Sequence, residues 1–191
     1  MSTIVIVKKA GKVVIGADTM YSCGSIQVNK SYRSNNDKII KHGNSYIGTV
    51  GSSAFYHLLL SLFKRHKELI NLNSAEDIFE TLRRIHPILK DEYYINTDES
   101  DDDTQEFESN QLFGLIANNT GAYEIQSYRE VHTVEKFWAI GSGKEFALGA
   151  MHALYNTLNN PRKIVEAGLK AACDLDKSSG MPLLIKSVSL E

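Results

Sequence analysis

The stretch STIVIVKKAGKVVIGAD, residues 2–18, decides the fold. It holds two β-branched runs on either side of Lys9-Ala10-Gly11, a pattern that predicts a β-hairpin. If Lys9, Ala10 and Gly11 form a three-residue loop with Gly11 in the left-handed conformation, Ser2 lies opposite Asp18. A shift of one residue would turn Ser2 away and put Thr3 beside Asp18. The turn type therefore bears on which hydroxyl lies at the end of the hairpin.

A second hairpin and two helices are predicted next. The runs KIIKHG and SYIGTVG, residues 38–43 and 45–51, predict a hairpin bent back onto the first sheet. Apolar residues recur at helical spacing from Ser53 to Leu72, which predicts a long amphipathic helix. Ser74 with Asp77 is typical of a helix start, and Pro87 is expected to kink or break that second helix.

Strand patterns return in the second half of the chain, at residues 111–117, 122–128 and 135–141, and indicate a second sheet. Apolar residues at 146–158 and 164–175 predict two more helices before a final strand, PLLIKSVSL. Two sheets that each need one face covered by a helix pair favour an α+β fold, a four-layer α/β/β/α sandwich, although the order of elements also allows other α+β folds.

Length and composition favour one domain over residues 1–191, because 191 residues with 42% hydrophobic content provide for one core. The polar, acidic segment at about 96–110 is expected to be an exposed, mobile loop. The formal charge of −2 and the scattered basic residues argue against a nucleic-acid partner. No signal segment or membrane-spanning run is recognisable, so a soluble, cytoplasmic protein without a membrane partner is expected.

Metal and redox chemistry find little support in the sequence. Cys23 and Cys173 lie far apart and match no metal or redox spacing, so reduced thiols without a function are expected. The histidines lack zinc-ligand spacing, and the acidic segment lacks the glycine and terminal glutamate of an EF-hand loop. The prediction is a protein with no metal and no cofactor.

Ser2 is the candidate nucleophile. A small second residue is the usual condition for removal of Met1, which would leave a hydroxyl and a free α-amine on one residue. An α-amine titrates at about 7.7–8.0, so near neutral pH part of it is unprotonated and accepts the hydroxyl proton. Thr3 is the alternative nucleophile. Many proteins begin Met-Ser, so the surrounding residues must decide.

The opening STIVIVKKAGKVVIGAD resembles the start of the proteasome β-subunit family, especially its bacterial homo-oligomeric members such as the HslV protease. In that family an N-terminal threonine is the nucleophile, and a lysine held by an aspartate tunes its amine and hydroxyl. Asp18 matches the aspartate and Lys38 in NDKIIKHG matches the lysine, with Lys30 as the alternative. A fixed ammonium disfavours protonation of the nearby amine and stabilises an oxyanion.

The stretch IGTVGSSAF resembles the family segment where a strand enters the first helix and a glycine amide forms the oxyanion hole. The resemblance assigns this role to Gly51, with Ser52 as the alternative. An amide at a helix N-terminus is a suitable donor for a developing oxyanion. Thr49 and Val50 are expected beside the substrate cleft, with Val50 shaping an apolar pocket.

Two later motifs resemble the same family. AIGSGKEFALGA matches its strand-to-helix junction, which places Ser142 near the nucleophile's amine. DLDKSSG matches its D-x-x-S-G element, which places Asp176, Ser179 and Gly180 around the N-terminal residue.

The resemblance implies a peptidase that cleaves unfolded proteins or peptides inside a homo-oligomeric ring or double ring, with a hexameric ATPase as a possible partner. Serine in place of threonine predicts slower hydrolysis, because Ser2 lacks the β-branch that restricts the rotamer. Two alternatives remain: a catalytically silent, ring-forming scaffold if Met1 stays, and an N-terminal nucleophile amidohydrolase that acts on a small amide.

Overall fold

The first hairpin has a tighter turn than the sequence predicts. In the computed structural model, which describes residues 2–23, 26–32, 37–98 and 106–191, strands β1 (Thr3–Lys9) and β2 (Lys12–Asp18) are joined by two residues. Ala10 and Gly11 both have positive φ, 50° and 68°, as in a type I′ turn. Ile4 therefore pairs with Ala17. The predicted three-residue loop and the pairing of Ser2 with Asp18 are wrong, because Ala10 also adopts the left-handed conformation and Thr3 lies beside Asp18.

The hairpin forms the centre of a four-stranded antiparallel sheet. Strand β10 (Phe137–Gly141) pairs with β1, and β11 (Leu183–Ser189) pairs with β2. The assignment of residues 135–141 to the second sheet is thus wrong. The chain returns to its opening strand from far along the sequence, which brings the end of β10 to the chain start.

The second sheet has five strands in sequence order. They are β5 (Ile39–His42), β6 (Ser45–Val50), β7 (Phe113–Ala117), β8 (Ala122–Ile125) and β9 (Val131–Thr133). The predicted second hairpin forms, but β6 pairs with β7 and the hairpin packs face to face on the first sheet. After β2 and before β5, the strands β3 (Tyr21–Cys23) and β4 (Ile26–Val28) form a separate two-stranded ribbon, which was not predicted from the sequence.

Within the described part of the chain, four helices cover the sheets: α1 (Ala54–Arg65), α2 (Ala75–Asp91), α3 (Lys144–Tyr155) and α4 (Pro161–Leu175). Helix α1 ends before the predicted Leu72, since a 3-10 turn at Lys67–Leu69 follows it. Ser74 caps α2 as predicted, with its hydroxyl 3.1 Å from the Asp77 amide nitrogen. Pro87 does not break α2, which continues to Asp91.

Among the residues that the structure describes, three apolar cores separate the layers. The face of the first hairpin that carries Ile4 and Ile6 packs on the second sheet, and the face that carries Val5 and Val7 packs on α3 and α4. The other face of the second sheet packs on α1 and α2. The α+β fold is therefore the predicted four-layer α/β/β/α sandwich, and the alternation along β1 decides which side chains face each layer.

Helix α4 approaches the first sheet closely because β2 has a glycine beneath it. A Cβ built on Gly16 would lie 2.6 Å from Val165 Cγ1 and 2.8 Å from Leu169 Cδ1. A side chain at residue 16 would therefore push α4 outward. This contact sets the distance between α4 and the first sheet, and Asp176 lies at the C-terminal end of α4.

The ends of the acidic segment are anchored, although residues 99–105 lie outside the described part of the chain. The Ser109 amide donates to the Thr97 carbonyl at 2.9 Å, and the Asn110 amide donates to the Ser127 carbonyl at 2.8 Å. Ser109 and Asn110 are buried, so the exposed loop is shorter than predicted. Within the described residues, none of the helices has the length and apolarity needed to cross a membrane.

Candidate active site

Asp18, the last residue of β2, is the electrostatic centre of the candidate site. Its side chain is completely buried. Oδ1 accepts from the Thr3 amide at 2.9 Å and from Lys38 Nζ at 2.7 Å. Oδ2 accepts from the Met20 and Gly180 amides, both at 3.1 Å. Four donors, one of them charged, satisfy the hydrogen-bonding capacity of this buried carboxylate.

Lys38 lies directly before β5 and reaches Asp18 from the second sheet. Its side chain is only 14% exposed. Burial lowers the pKa of Lys38 below its ordinary value, and the neighbouring Asp18 opposes this shift. The ion pair therefore provides a fixed positive charge at the same end of the sandwich as the chain start.

The alternative lysine has a different partner. Lys30 pairs with Asp37 on the surface, and both side chains are more than a third exposed. The structure thus brings Lys38, and not Lys30, to Asp18.

The first residues of the chain divide between two faces. Thr3 shares the Val5 face of β1 towards α3 and α4, and its hydroxyl oxygen lies 3.0 Å from the Gly143 amide and 2.7 Å from Ser179 Oγ. By strand alternation, Ser2 lies on the opposite, inter-sheet side. The Ser2 carbonyl accepts from the Ser142 amide at 2.9 Å, and the residue is 9% exposed. Met1 lies outside the described residues.

Asp176, Ser142 and Ser179 form a hydrogen-bonded cluster beside the chain start. Asp176 follows α4 as its C-cap, and both serine hydroxyls donate to its Oδ2 at 2.7 Å. Partial burial opposes ionisation of Asp176, but the hydrogen bonds from Ser142 and Ser179 and from the Ser178 amide hold its pKa below the ordinary value. Asp176 is therefore an anion that accepts hydrogen bonds from both hydroxyl groups.

Gly51 and Val50 lie at the end of β6. Gly51 is exposed and has φ +104°, a backbone conformation that L side chains rarely adopt. Val50 Cγ1 lies 3.2 Å from a Cβ built on Gly141, next to the Ser2 carbonyl. The Ser52 hydroxyl accepts from the Ala54 amide at the start of α1. Gly51 and Val50 thus adjoin the chain start, and the Ser52 hydroxyl is engaged in the helix entry.

Thr49 points elsewhere. It lines a small internal cavity together with Ile47 and Leu59, on the side of the second sheet that packs on α1 and α2. The structure therefore does not bring the Thr49 side chain to the inter-sheet cleft. Strand alternation gives that position to Val50.

Two groups join these parts, the Thr3 hydroxyl and Gly143. The sequence indicated Thr3 only as an alternative nucleophile, and Gly143 was not predicted. A Cβ at Gly143 would lie 2.5 Å from Thr3 Oγ1 and 2.9 Å from the Ala172 Cβ, so only glycine fits. The two-residue Ala10-Gly11 turn is the signal that would have placed Thr3 beside Asp18.

Cys173 lies on α4 near these charges. Burial, together with Asp18 and Asp174, raises the pKa of its thiol to about 11. The thiol is therefore protonated at neutral pH and is a poor nucleophile. Across residues 2–23, 26–32, 37–98 and 106–191, no group of three His, Cys, Asp or Glu residues is arranged to hold a metal ion.

Known proteins share this architecture. The family model described as Proteasome subunit matches residues 1–187. BPH from Thiobacillus denitrificans, solved alone and in complex with epoxomicin, is 33% identical, with a TM-score of 0.90 over 99% of this chain and 98–99% of that one. HslV from Trypanosoma brucei, at 21% identity and a TM-score of 0.71, covers 98% of this chain and 99% of its own and shares the fold. The chain belongs to the proteasome subunit family.

Proposed function

We propose that this protein is a proteasome-type peptidase whose nucleophile is Ser2, with a free α-amine after Met1 is removed. The observation that carries the proposal is that a buried ion pair and a partly buried carboxylate cluster lie at the chain start. Asp18 holds the Thr3 amide and Lys38, and Asp176 holds Ser142 and Ser179. A network of this kind is costly to bury, and such perturbed groups concentrate at functional sites.

In the proposed reaction the Ser2 α-amine accepts the proton of the Ser2 hydroxyl, and Oγ attacks the carbonyl carbon of the scissile amide. The tetrahedral intermediate collapses when the C–N bond breaks and the proton passes to the leaving amine. An ester between Ser2 and the acyl part of the substrate remains. Water, activated by the same amine, hydrolyses this ester and restores the free hydroxyl.

The proposed role of Lys38 is electrostatic. Its ammonium disfavours protonation of the nearby amine and stabilises negative charge on the hydroxyl oxygen as the proton leaves. Asp18 keeps the lysine in place and favours its charged form, since the carboxylate opposes the effect of burial. Neither residue is required to transfer a proton.

The proposed oxyanion hole is the Gly51 amide. Gly51 lies two residues before Ser53, the N-cap of α1, and so lies near the positive end of the helix, which favours negative charge. A donor of this kind contributes about 10²–10³ in kcat in other hydrolases. Val50, on the inter-sheet side of β6, is proposed to contact the apolar side chain before the scissile bond.

The proposed working form is a cytoplasmic ring or double ring that encloses the Ser2 sites and admits unfolded protein or peptides. Family membership and the fold shared with HslV support this proposal. A hexameric ATPase is the proposed partner for substrate delivery. The serine nucleophile is expected to turn over more slowly than threonine, because its side chain has greater rotamer freedom.

Covalent labelling tests the proposal. Protein with a demonstrated free Ser2 amine should cleave unstructured peptides and gain the mass of one epoxomicin per chain, because the epoxyketone needs both the hydroxyl and the amine. Ser2→Ala should abolish labelling and cleavage. Lys38→Met should slow labelling and cleavage, because it removes the ammonium beside the amine. The matched control is Lys30→Met, at the exposed lysine that pairs with Asp37, and it should label normally. Wild-type protein that neither cleaves nor is labelled would rule out the peptidase.

A further inference from the structure

The Thr3 hydroxyl joins two segments that are distant in sequence. Thr3 is fully buried at the start of β1. Its Oγ1 lies 3.0 Å from the Gly143 amide, in the turn between β10 and α3, and 2.7 Å from Ser179 Oγ, in the loop that follows α4. Its own amide donates to Asp18. Thr3 thus connects the end of β2, the N-terminus of α3 and the loop that follows α4.

The proton positions in this cluster follow from counting donors. The Asp176 carboxylate is an acceptor, and the Ser179 hydroxyl has a single hydrogen, which it donates to Asp176. In the contact between Thr3 and Ser179, the donor must therefore be Thr3. The Thr3 oxygen in turn accepts from the Gly143 amide. The hydrogen bonds run in one direction from Gly143 through Thr3 and Ser179 to Asp176.

This direction determines whether the two serines can donate or accept a hydrogen bond at the start of the chain. Ser142 and Ser179 both use their hydrogen on Asp176, so their oxygens have only lone pairs left. An α-amine beside them would donate its N–H groups to those oxygens. Its own lone pair would then remain for the Ser2 hydroxyl proton, which is the arrangement that a base requires.

We propose that Thr3 is a positioning residue, whose hydroxyl fixes the location and proton direction of Ser179 and the Gly143 turn, so that the α-amine of Ser2 acts as a base. The inference rests on the proposed function and adds to it a residue that does not touch the substrate. Thr3 acts through Ser179 and Gly143. Its methyl group holds the rotamer that both contacts need.

Thr3→Val tests the inference, because valine keeps the shape and removes the hydroxyl. We expect kcat per epoxomicin-reactive site to fall about tenfold while KM changes less than about twofold, since misplaced catalytic groups slow chemistry without affecting substrate contacts. Thr3→Ser, which retains the hydroxyl, should recover most of the lost kcat. If Thr3→Val does not fold, Thr3→Cys, with a weak thiol donor, carries the same expectation.

Thr81→Val is the matched control. Thr81 is a buried threonine in α2, in a different layer from Thr3, and its hydroxyl contacts Asn71 and Leu69. The Thr81→Val variant should have a lower Tm and an unchanged kcat. An unchanged kcat per reactive site in Thr3→Val would overturn the inference.

A crystal structure of Thr3→Val gives a readout that does not depend on activity. We expect Ser179 Oγ to leave Asp176, with a separation beyond about 3.5 Å, the limit of a hydrogen bond. Serines that both remain at 2.7 Å from Asp176 Oδ2, as in the wild type, would overturn the inference. An inactive wild-type protein with a free Ser2 amine would instead overturn the proposed function, and this structure would still decide the role of Thr3.

Discussion

Asp18→Asn is the substitution for which the structure gives the clearest expectation, a large loss of stability without a change of size. Oδ1 faces two donors, Thr3 N and Lys38 Nζ, and Oδ2 faces the Met20 and Gly180 amides. Whichever position the asparagine NH₂ group takes, it meets two other donors. The variant also leaves the Lys38 ammonium buried without its counter-charge.

The unpaired buried donors and the broken ion pair set the magnitude of the expected loss in stability. Each buried donor without an acceptor costs about 1–3 kcal/mol, and removal of one partner from a buried ion pair costs about 3–5 kcal/mol. Because both estimates count the same contacts, the expected loss in the free energy of unfolding is about 3–5 kcal/mol. This is a large part of the ~5–15 kcal/mol that holds a typical domain.

Urea unfolding at constant protomer concentration measures the loss. With an m-value of about 2 kcal/mol/M, the midpoint should fall by about 2 M. Asp37→Asn is the control, because its partner Lys30 is exposed and such pairs contribute about 0–1 kcal/mol. Asp18→Asn combined with Lys38→Met should recover part of the stability. A midpoint shift below about 0.5 M in Asp18→Asn would refute the electrostatic account of this site.

Three further predictions concern the same end of the sandwich. First, kcat/KM should be bell-shaped in pH. Its acid limb should lie below the ordinary α-amine pKa of about 7.7–8.0, because the Lys38 ammonium disfavours protonation of the amine. Its alkaline limb should lie below the ordinary Lys38 value of 10.5, because burial lowers the pKa of Lys38. A profile flat up to pH 10.5 would contradict this. Second, Gly143→Ala should destabilise the protein, since its Cβ would lie 2.5 Å from the Thr3 hydroxyl, whereas Gly149→Ala, with nothing within 4 Å, should stabilise α3 by about 0.5–1 kcal/mol; thermal melts with equal shifts for both would count against it. Third, the lowered pKa of Asp176 stabilises the folded state above the carboxyl's ordinary pKa of 3.8, and this stability is lost as pH falls through the lowered value. The free energy of unfolding of Asp176→Asn should therefore depend less on pH in the acid range. An unchanged pH dependence would contradict the assignment.

The sequence predicted the layers because its periodicity is strong where the layers form. The β-branched runs of β1 and β2, the apolar spacing in α1 to α4 and the Ser74 cap are local signals, and these elements form. The family resemblance also led to Asp18, Lys38, Ser142, Asp176 and Ser179, which the structure brings together at the chain start. Local pattern and motif were sufficient for these features.

The errors arose where a long-range partner or one backbone angle decided the outcome. The positive φ of Ala10 shortened the turn by one residue, which moved Thr3 to Asp18. Strand β10 has the same pattern wherever it pairs, so the sequence could not show that it pairs with β1. The Thr3 hydroxyl found its partners at Gly143 and Ser179, contacts across most of the chain that no local pattern encodes.

The intact mass and N-terminal sequence of the native protein test the central claim most directly, because the proposed base exists only as a free α-amine on Ser2. The account predicts a chain that begins at Ser2 and that gains one epoxomicin on incubation with the inhibitor. A chain that quantitatively retains Met1 would have an amide nitrogen in place of the base. That result would contradict the peptidase and favour a catalytically silent member of the family.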